Sequence, residues 1–236
     1  NKYEAKLENL SKVIATAADM LPTLVGLCEV ENEMVVKDLV NTNNLKPGNY
    51  DYVHYDSPDE RGIDVALLYN KKDFKVKSSK AIAVTLPGEK QDFTRDILMV
   101  NGEILINGKK EQLFVFVNHW PSRSEGEEVS APKRAAAATK LKEVVDSLNA
   151  KLDNPNIVIM GDFNDTPLDI SIQKILNAQA TADTYAEETL VNLMTKLQTT
   201  GQGSYNYKGN WQALDQIIVS AGLLDGKSLE VNPETA

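Results

Sequence analysis

Apolar residues recur along the chain in two periods. Between Tyr3 and Leu21, the residues Leu7, Leu10, Val13, Ile14, Ala17 and Leu21 fall at helical spacing with Lys and Glu opposite, which predicts an amphipathic helix ending at Pro22. Thr23 to Val30 reads as a buried strand finishing in Glu29, and Met34, Val35 and Leu39 mark a second helix over about 31–40, broken by Pro47-Gly48. From Tyr50 the period becomes two. Tyr50–Tyr55, Ile63–Tyr69 and Phe74–Ser78 are expected strands, and Ile97–Ile106, the turn Asn107-Gly108 and Gln112–Asn118 form a hairpin, because Asn-Gly tolerates the positive φ of a tight turn. An Ala- and Lys-rich helix is expected over about 131–152, with Pro132 near its start. A short helix at Ile170–Leu176, a polar connector and strands at Ser204–Tyr207 and Ala213–Ser220 follow.

Between the long helix and the short one lies Ile157-Val-Ile-Met-Gly-Asp-Phe-Asn-Asp-Thr-Pro167. Four apolar residues suggest a strand buried on both faces, Gly161 a sharp turn, and Asp162, Asn164 and Asp165 a polar loop held at the end of a rigid sheet. A carboxylate with a neighbouring amide can orient a water and a phosphoryl oxygen together, although an Asx-rich turn would look similar. Strands in the majority with helices between them suggest two packed sheets flanked by helices, in one domain spanning residues 1–236. Polar residues just past the strand ends would then meet on one rim: Glu29, Asp64, His119, Asp162 with Asn164, and Asp215.

Composition narrows the chemistry. A net charge of −9 argues against gripping nucleic acid by neutralising many phosphates, yet leaves room for an enzyme whose cation supplies the positive charge. One cysteine, Cys28, and two histidines, His54 and His119, exclude a disulfide framework and make a multi-histidine zinc centre a poor fit. No apolar run approaches the roughly 18 residues of a membrane span. A soluble protein is expected, cytoplasmic or secreted after removal of a leader.

Glu29 ends an apolar strand, where an ionised carboxylate calls for donors or a hard cation such as Mg²⁺; capping the next helix is the plainer alternative. His119 can trade protons near neutral pH, and an ion pair with a carboxylate would keep it protonated, though Trp120 could simply stack on it. Asp64 interrupts an apolar strand and is expected to pair with His119 or an arginine. Arg61, Arg95 and Arg123 are candidate phosphate clamps, although a surface ion pair is the simpler reading of each. His54 lies on an alternating strand and reads as structural. Glu125, Glu127 and Glu128 read as a solvated loop. Ser204-Tyr-Asn-Tyr207 could stack on a substrate ring, with core or edge packing as the default.

Taken together, Leu27-Cys-Glu-Val-Glu-Asn32, Arg61-Gly-Ile-Asp-Val-Ala-Leu-Leu-Tyr69, Asn118-His-Trp-Pro-Ser-Arg123, Met160-Gly-Asp-Phe-Asn-Asp-Thr-Pro167 and Leu214-Asp-Gln-Ile-Ile-Val-Ser220 resemble, in that order, motifs of the endonuclease/exonuclease/phosphatase superfamily. The resemblance implies an α/β fold, a four-layer α/β/β/α sandwich of the deoxyribonuclease I type, and a Mg²⁺- or Mn²⁺-dependent phosphoesterase. By matching position Glu29 resembles the metal-binding glutamate and His119 the first of two family histidines. Asp162 and Asn164 would orient the attacking water and the phosphate, Asp215 resembles the acid behind the second histidine, and Asp64 lies at or beside the acid behind the first. Arg95, Asn118 and Arg123 would contact the phosphate.

The family's opening Asn motif and closing Ser-Asp-His motif do not occur in this sequence, so its ends are expected to lie beside missing flanking strands, or the site to be incomplete. The expected partner is a phosphate ester, whether nucleic acid, nucleotide, inositol phosphate or phospholipid headgroup, and the expected state a monomer. A phosphate-binding module that lost its chemistry and a Ca²⁺-requiring extracellular hydrolase fit the same residues.

Overall fold

In the computed structural model, which describes residues 1–88, 93–106, 108–180, 188–226 and 229–233, the period-two segments build two stacked sheets. The smaller holds β1 (Leu24–Val30), β3 (Asp64–Asn70) and β2 (Tyr50–His54) in the order β1-β3-β2. The larger has seven strands in the order β4-β5-β6-β7-β12-β9-β8: β4 Phe74–Ile82, β5 Ile97–Ile106, β6 Lys109–His119, β7 Ile157–Asp162, β8 Ala178–Ala180, β9 Leu190–Asn192 and β12 Asp215–Ser220. A separate ribbon pairs β10 (Tyr205–Tyr207) with β11 (Asn210–Gln212).

Side-chain alternation sorts the apolar residues into three cores. Val65 and Leu67 of the small sheet meet Leu98, Val100, Val115, Val117 and Val219 of the large one. The outer face of the large sheet, with Phe116, Ile157 and Ile159, packs on α3 (Glu127–Asn149) and on the short π-helix Ser171–Leu176. The outer face of the small sheet, with Ala66 and Leu68, packs on α1 (Lys2–Ala15) and α2 (Glu33–Val40). The result is the expected α/β/β/α sandwich. Among the described residues no helix is long and apolar enough to cross a membrane.

Several boundaries differ from the sequence reading. The first helix stops at Ala15, because the Thr16 hydroxyl donates to the carbonyls of Lys12 and Val13 and closes the last turn. Helix α3 begins at Glu127, four residues before Ala131, so Glu127 and Glu128 form its first turn and Pro132 lies inside it. There Ser130 and Arg134 donate to the carbonyl of Glu127, and Ser130 also to that of Gly126. The polar connector contains α4 (Thr195–Thr199), and the Ser204–Tyr207 strand gains a partner in β11. In the expected Asn107-Gly108 turn, Asn107 lies outside the described residues, while Gly108 has φ +77° and Ile106 pairs with Lys109.

Candidate active site

Topology gathers the strand ends. β6 and β7 run parallel, joined over the outer face by α3, so their C-terminal ends coincide and His119 pairs in register with Asp162. β12 returns antiparallel to β7 and sets Asp215 opposite Asp162. The three residues therefore stand side by side on three adjacent strands.

Glu29 arrives from the other sheet. β1 lies directly over β6 and β7: the Cys28 thiol donates to the carbonyl of Asn118 at 3.3 Å, and a Cβ on Gly26 would come within 2.7 Å of the Met160 sulfur. Between Leu27 and Val30 the pairing of β1 with β3 slips, and Glu29 at the slip has φ +58°. A bulge of this kind re-aims a side chain, and a left-handed glutamate is a local strain of about 1–3 kcal/mol held by its surroundings. Its carboxylate is exposed and close enough to act on Asp162.

The loop after β7 is equally constrained. Gly161 has φ +132°, and a Cβ there would sit 1.9 Å from the Asn118 carbonyl oxygen, so glycine is required where β6 and β7 approach. Asn164, at φ +50°, donates its backbone N–H to Asp162 Oδ1 at 2.8 Å and its amide to the Trp120 carbonyl at 2.9 Å. Behind it Trp120 and Phe163 meet edge to face, both fully buried.

Electrostatics distinguish Asp162. Burial pushes its carboxyl up to about 6, and the charges of Asp215 and Glu29 push the same way against the Asn164 N–H and Arg95. His119 is held down at about 3 by burial and by the cations Arg95 and Arg61. It is therefore neutral at pH 7, which corrects the expectation of a protonated histidine. Its Nε2 lies 3.7 Å from Asp162 Oδ2, too far for a hydrogen bond, and its buried Nδ1 has no partner among the described residues.

Other expected site residues serve elsewhere. Asp64 pairs with His54, not with His119 or an arginine: His54 Nε2 lies 2.9 Å from Asp64 Oδ2, and Asp64 Oδ1 accepts from Ser57 N–H at 2.8 Å and from its hydroxyl at 2.7 Å. With Asp56 these residues bring ligand-type atoms within 4.8 Å of one another, but both Asp64 oxygens already have partners. Arg95 is buried and spends each nitrogen within the protein, on the carbonyls of His119 and Trp120 and on Asp59 at 2.7 Å, so it braces the His119 turn instead of clamping phosphate. Asn118 is fully buried and accepts from the Trp120 indole at 3.1 Å. Arg123 donates to the Asn164 carbonyl at 2.6 Å and to Asp165 and Asp169 at 2.9 and 2.8 Å, which anchors the loop. Of the three candidate clamps, Arg61 stays exposed, beside Asp59.

The residues that the sequence reading passed over lie beneath the loop. Arg134, fully buried on α3, places Nε 2.6 Å from Asp165 Oδ1, Ser171 donates to the other oxygen at 2.5 Å, and Gln216 donates to the Asp165 carbonyl at 2.5 Å. A signal existed, since Arg134 shares the apolar stripe of Ala138, Leu141 and Val145, a position where an unpaired charge would be costly.

The open cleft of about 660 Å³ over Asp162, Asn164 and Asp215 makes this rim the candidate site of a deoxyribonuclease I-like sandwich. The model of the Endonuclease/Exonuclease/phosphatase family matches residues 1–236, and the chain belongs to that family. The human Nocturnin catalytic domain, solved with a bound sulfate anion, is similar at 18% identity and a TM-score of 0.62, over 93% of this chain and 75% of that one. A truncated Caenorhabditis elegans TDP2 is similar at 15% identity and 0.61, over 92% and 76%, and a mannosyl-6-phosphatase of Bacteroides thetaiotaomicron at 17% and 0.61, over 92% and 77%. Comparison with curated proteins gives no match.

Proposed function

We propose that the chain is a divalent-metal-dependent phosphoesterase that hydrolyses its substrate by in-line attack of water. The observation that carries this reading is the meeting of Glu29 from one sheet with Asp162 and Asp215 from the other, beside Asn164 and His119. The charges of Asp215 and Glu29 both raise the proton affinity of Asp162, and a cluster of carboxylates of this kind suits a hard divalent ion. Glu29 would hold it, with Asp162 and Asp215 near enough to share its charge. Bound there, Mg²⁺ or Mn²⁺ would offset charge on the phosphoryl oxygens.

The protein's own groups supply the rest. Asp162, fixed by the Asn164 N–H, would accept a hydrogen bond from the attacking water and take up its proton. Asn164, pinned through its amide to Trp120, holds the loop in register. Neutral His119 offers one N–H donor to a phosphoryl oxygen, and exposed Arg61 a second, charged donor set. Positioning and charge neutralisation would provide most of the rate. The phosphatase among the structural neighbours supports a phosphoric ester as substrate.

The test is turnover of p-nitrophenyl phosphate and bis(p-nitrophenyl) phosphate with Mg²⁺, Mn²⁺, Ca²⁺ or EDTA. Hydrolysis that needs a divalent ion and stops with EDTA is expected. Binding of phosphate without hydrolysis under every metal would replace the enzyme by a binding module.

A further inference from the structure

One wall of the cleft is built unlike the rest. Strands β10 and β11 form a two-stranded ribbon closed by Lys208 and Gly209, both at positive φ (+51° and +88°), the pattern of a tight type I′ turn. Gly209 N–H donates to Asn206 Oδ1 at 3.1 Å and locks the tip. At the base, Gly203 packs so tightly that a Cβ would lie 2.2 Å from the Gln212 backbone, and Ser204 Oγ accepts from Asp215 N–H at 3.0 Å. The ribbon is thus tied to the same strand that carries Asp215.

Three of its exposed side chains, Tyr205, Tyr207 and Trp211, are aromatic. Tyr205 and Tyr207 stand 46% and 52% exposed, although a free ribbon this short gains little by displaying them to water. Register places both on one face, opposite Gln212 and Asn210, while Trp211 lies on the other face with Asn206. The tyrosine face lines the cleft whose floor holds Asp162, Asn164 and Asp215. Their ring centroids are 6.4 Å apart and their planes within 10° of parallel, with Lys208 Nζ 5.0 Å from the Tyr207 ring.

A planar ring inserted between two others needs about 7 Å, at an optimal carbon separation of about 3.5 Å on each side. The Tyr205 and Tyr207 centroids are 6.4 Å apart with nearly parallel planes, and because both rings are exposed, side-chain rotation can open them to admit a planar base. A pyranose, puckered and carrying axial hydrogens, needs a wider gap than a planar base. The volume of about 660 Å³ suits a nucleotide-sized ligand, and the charge of −9 disfavours a long polynucleotide.

We propose that Tyr205 and Tyr207 form a stacking slot for the base of a nucleoside phosphate whose phosphate lies over Asp162 and Asn164. The assignment rests on the phosphoesterase reading of the same cleft and names its substrate class. Stacking of a base on an aromatic side chain is commonly worth a tenfold change in affinity or more, and it does not depend on base sequence.

The experiment compares adenosine 5′-monophosphate with ribose 5-phosphate and mannose 6-phosphate, by equilibrium titration and by initial rates with Mg²⁺, in wild type, Tyr205→Ala, Tyr207→Ala and both Tyr→Phe variants. Wild type should favour the nucleotide about tenfold in Kd and KM. The Ala variants should lose that preference with kcat little changed, and the Phe variants should keep it. Equal affinity for nucleotide and ribose 5-phosphate, a preference for mannose 6-phosphate, or a nucleotide preference that survives in both Ala variants would each overturn the slot. Base-dependent binding without hydrolysis of any ester would leave the slot standing and remove the phosphoesterase; hydrolysis without base preference would do the reverse.

Discussion

Two carboxylates three residues apart, Asp162 and Asp165, meet opposite surroundings. Around Asp165 the protein supplies Arg134, Arg123 and Ser171, so a buried acid whose proton affinity burial raises is still met by opposing cations. Around Asp162 the charges of Asp215 and Glu29 add to burial, and Arg95 opposes them from a turn where its own donors are already used. The first arrangement is complete without a ligand and holds the loop in place. The second leaves negative charge for something outside the chain to balance, and that separates scaffold from site more clearly than residue type does.

Breaking the scaffold should have the largest effect. Arg134→Met leaves Asp165 short of a cation in a buried position and should cost about 3–5 kcal/mol of stability, read as a lower denaturant midpoint, with activity falling too because Asp162 and Asn164 ride on the same loop. If the midpoint hardly moves, the contrast drawn here is mistaken. Breaking the site should do the reverse. Asp162→Ala, His119→Ala and Glu29→Ala should each slow turnover about 10²- to 10³-fold, about 2.7–4 kcal/mol of barrier, while folding is largely retained. Turnover near wild type in all three would remove the assignment.

Supplying the missing charge should stabilise the rim selectively. At a concentration 100 times its Kd, Mg²⁺ should stabilise the native protein by about 2.7 kcal/mol, and the gain should shrink in Glu29→Gln but persist in His54→Gln. Equal gains in all three proteins would place the ion elsewhere.

Proton linkage sharpens the same point in EDTA. Asp162, raised from 3.8 to about 6, contributes stability that is present below 3.8 and lost as pH rises through 6. His119, lowered from 6.5 to about 3, contributes stability that is present above 6.5 and lost as pH falls toward 3. Between 3.8 and 6 the two slopes oppose each other. Relative to wild type, Asp162→Asn should therefore lose more stability on acidification through that window, and His119→Gln less; parallel urea midpoints for the three proteins would contradict this.

The smallest effect concerns strain. Glu29→Gly relieves a left-handed residue and should raise stability by about 1 kcal/mol, or about 2–4 °C in Tm, while slowing metal-dependent turnover as Glu29→Ala does.

Much of this was legible in order along the chain. Apolar runs ending in Glu29, His119 and Asp162, and one beginning at Asp215, announced strands with polar ends, because side-chain burial imposes its period locally. The partners of those residues were not legible. Asp64 looked like support for His119, yet it bonds His54, ten residues before it and on the adjacent strand. Arg95 looked like a phosphate clamp until its nitrogens were found on His119, Trp120 and Asp59. For Tyr205 and Tyr207 core or edge packing was the default and stacking on a substrate ring the alternative, and only the ribbon's register turned them toward the cleft.

The sequence by itself determined the sandwich and the acids and amide that end its strands, since periodicity and strand-end polarity are properties of neighbouring residues. Tertiary structure alone decided which charges balance and which remain exposed to a ligand. The parallel pairing of β6 with β7, the bulge at Glu29 and the burial of Arg134 join residues 31 to 45 positions apart, and such pairings depend on the register of whole sheets.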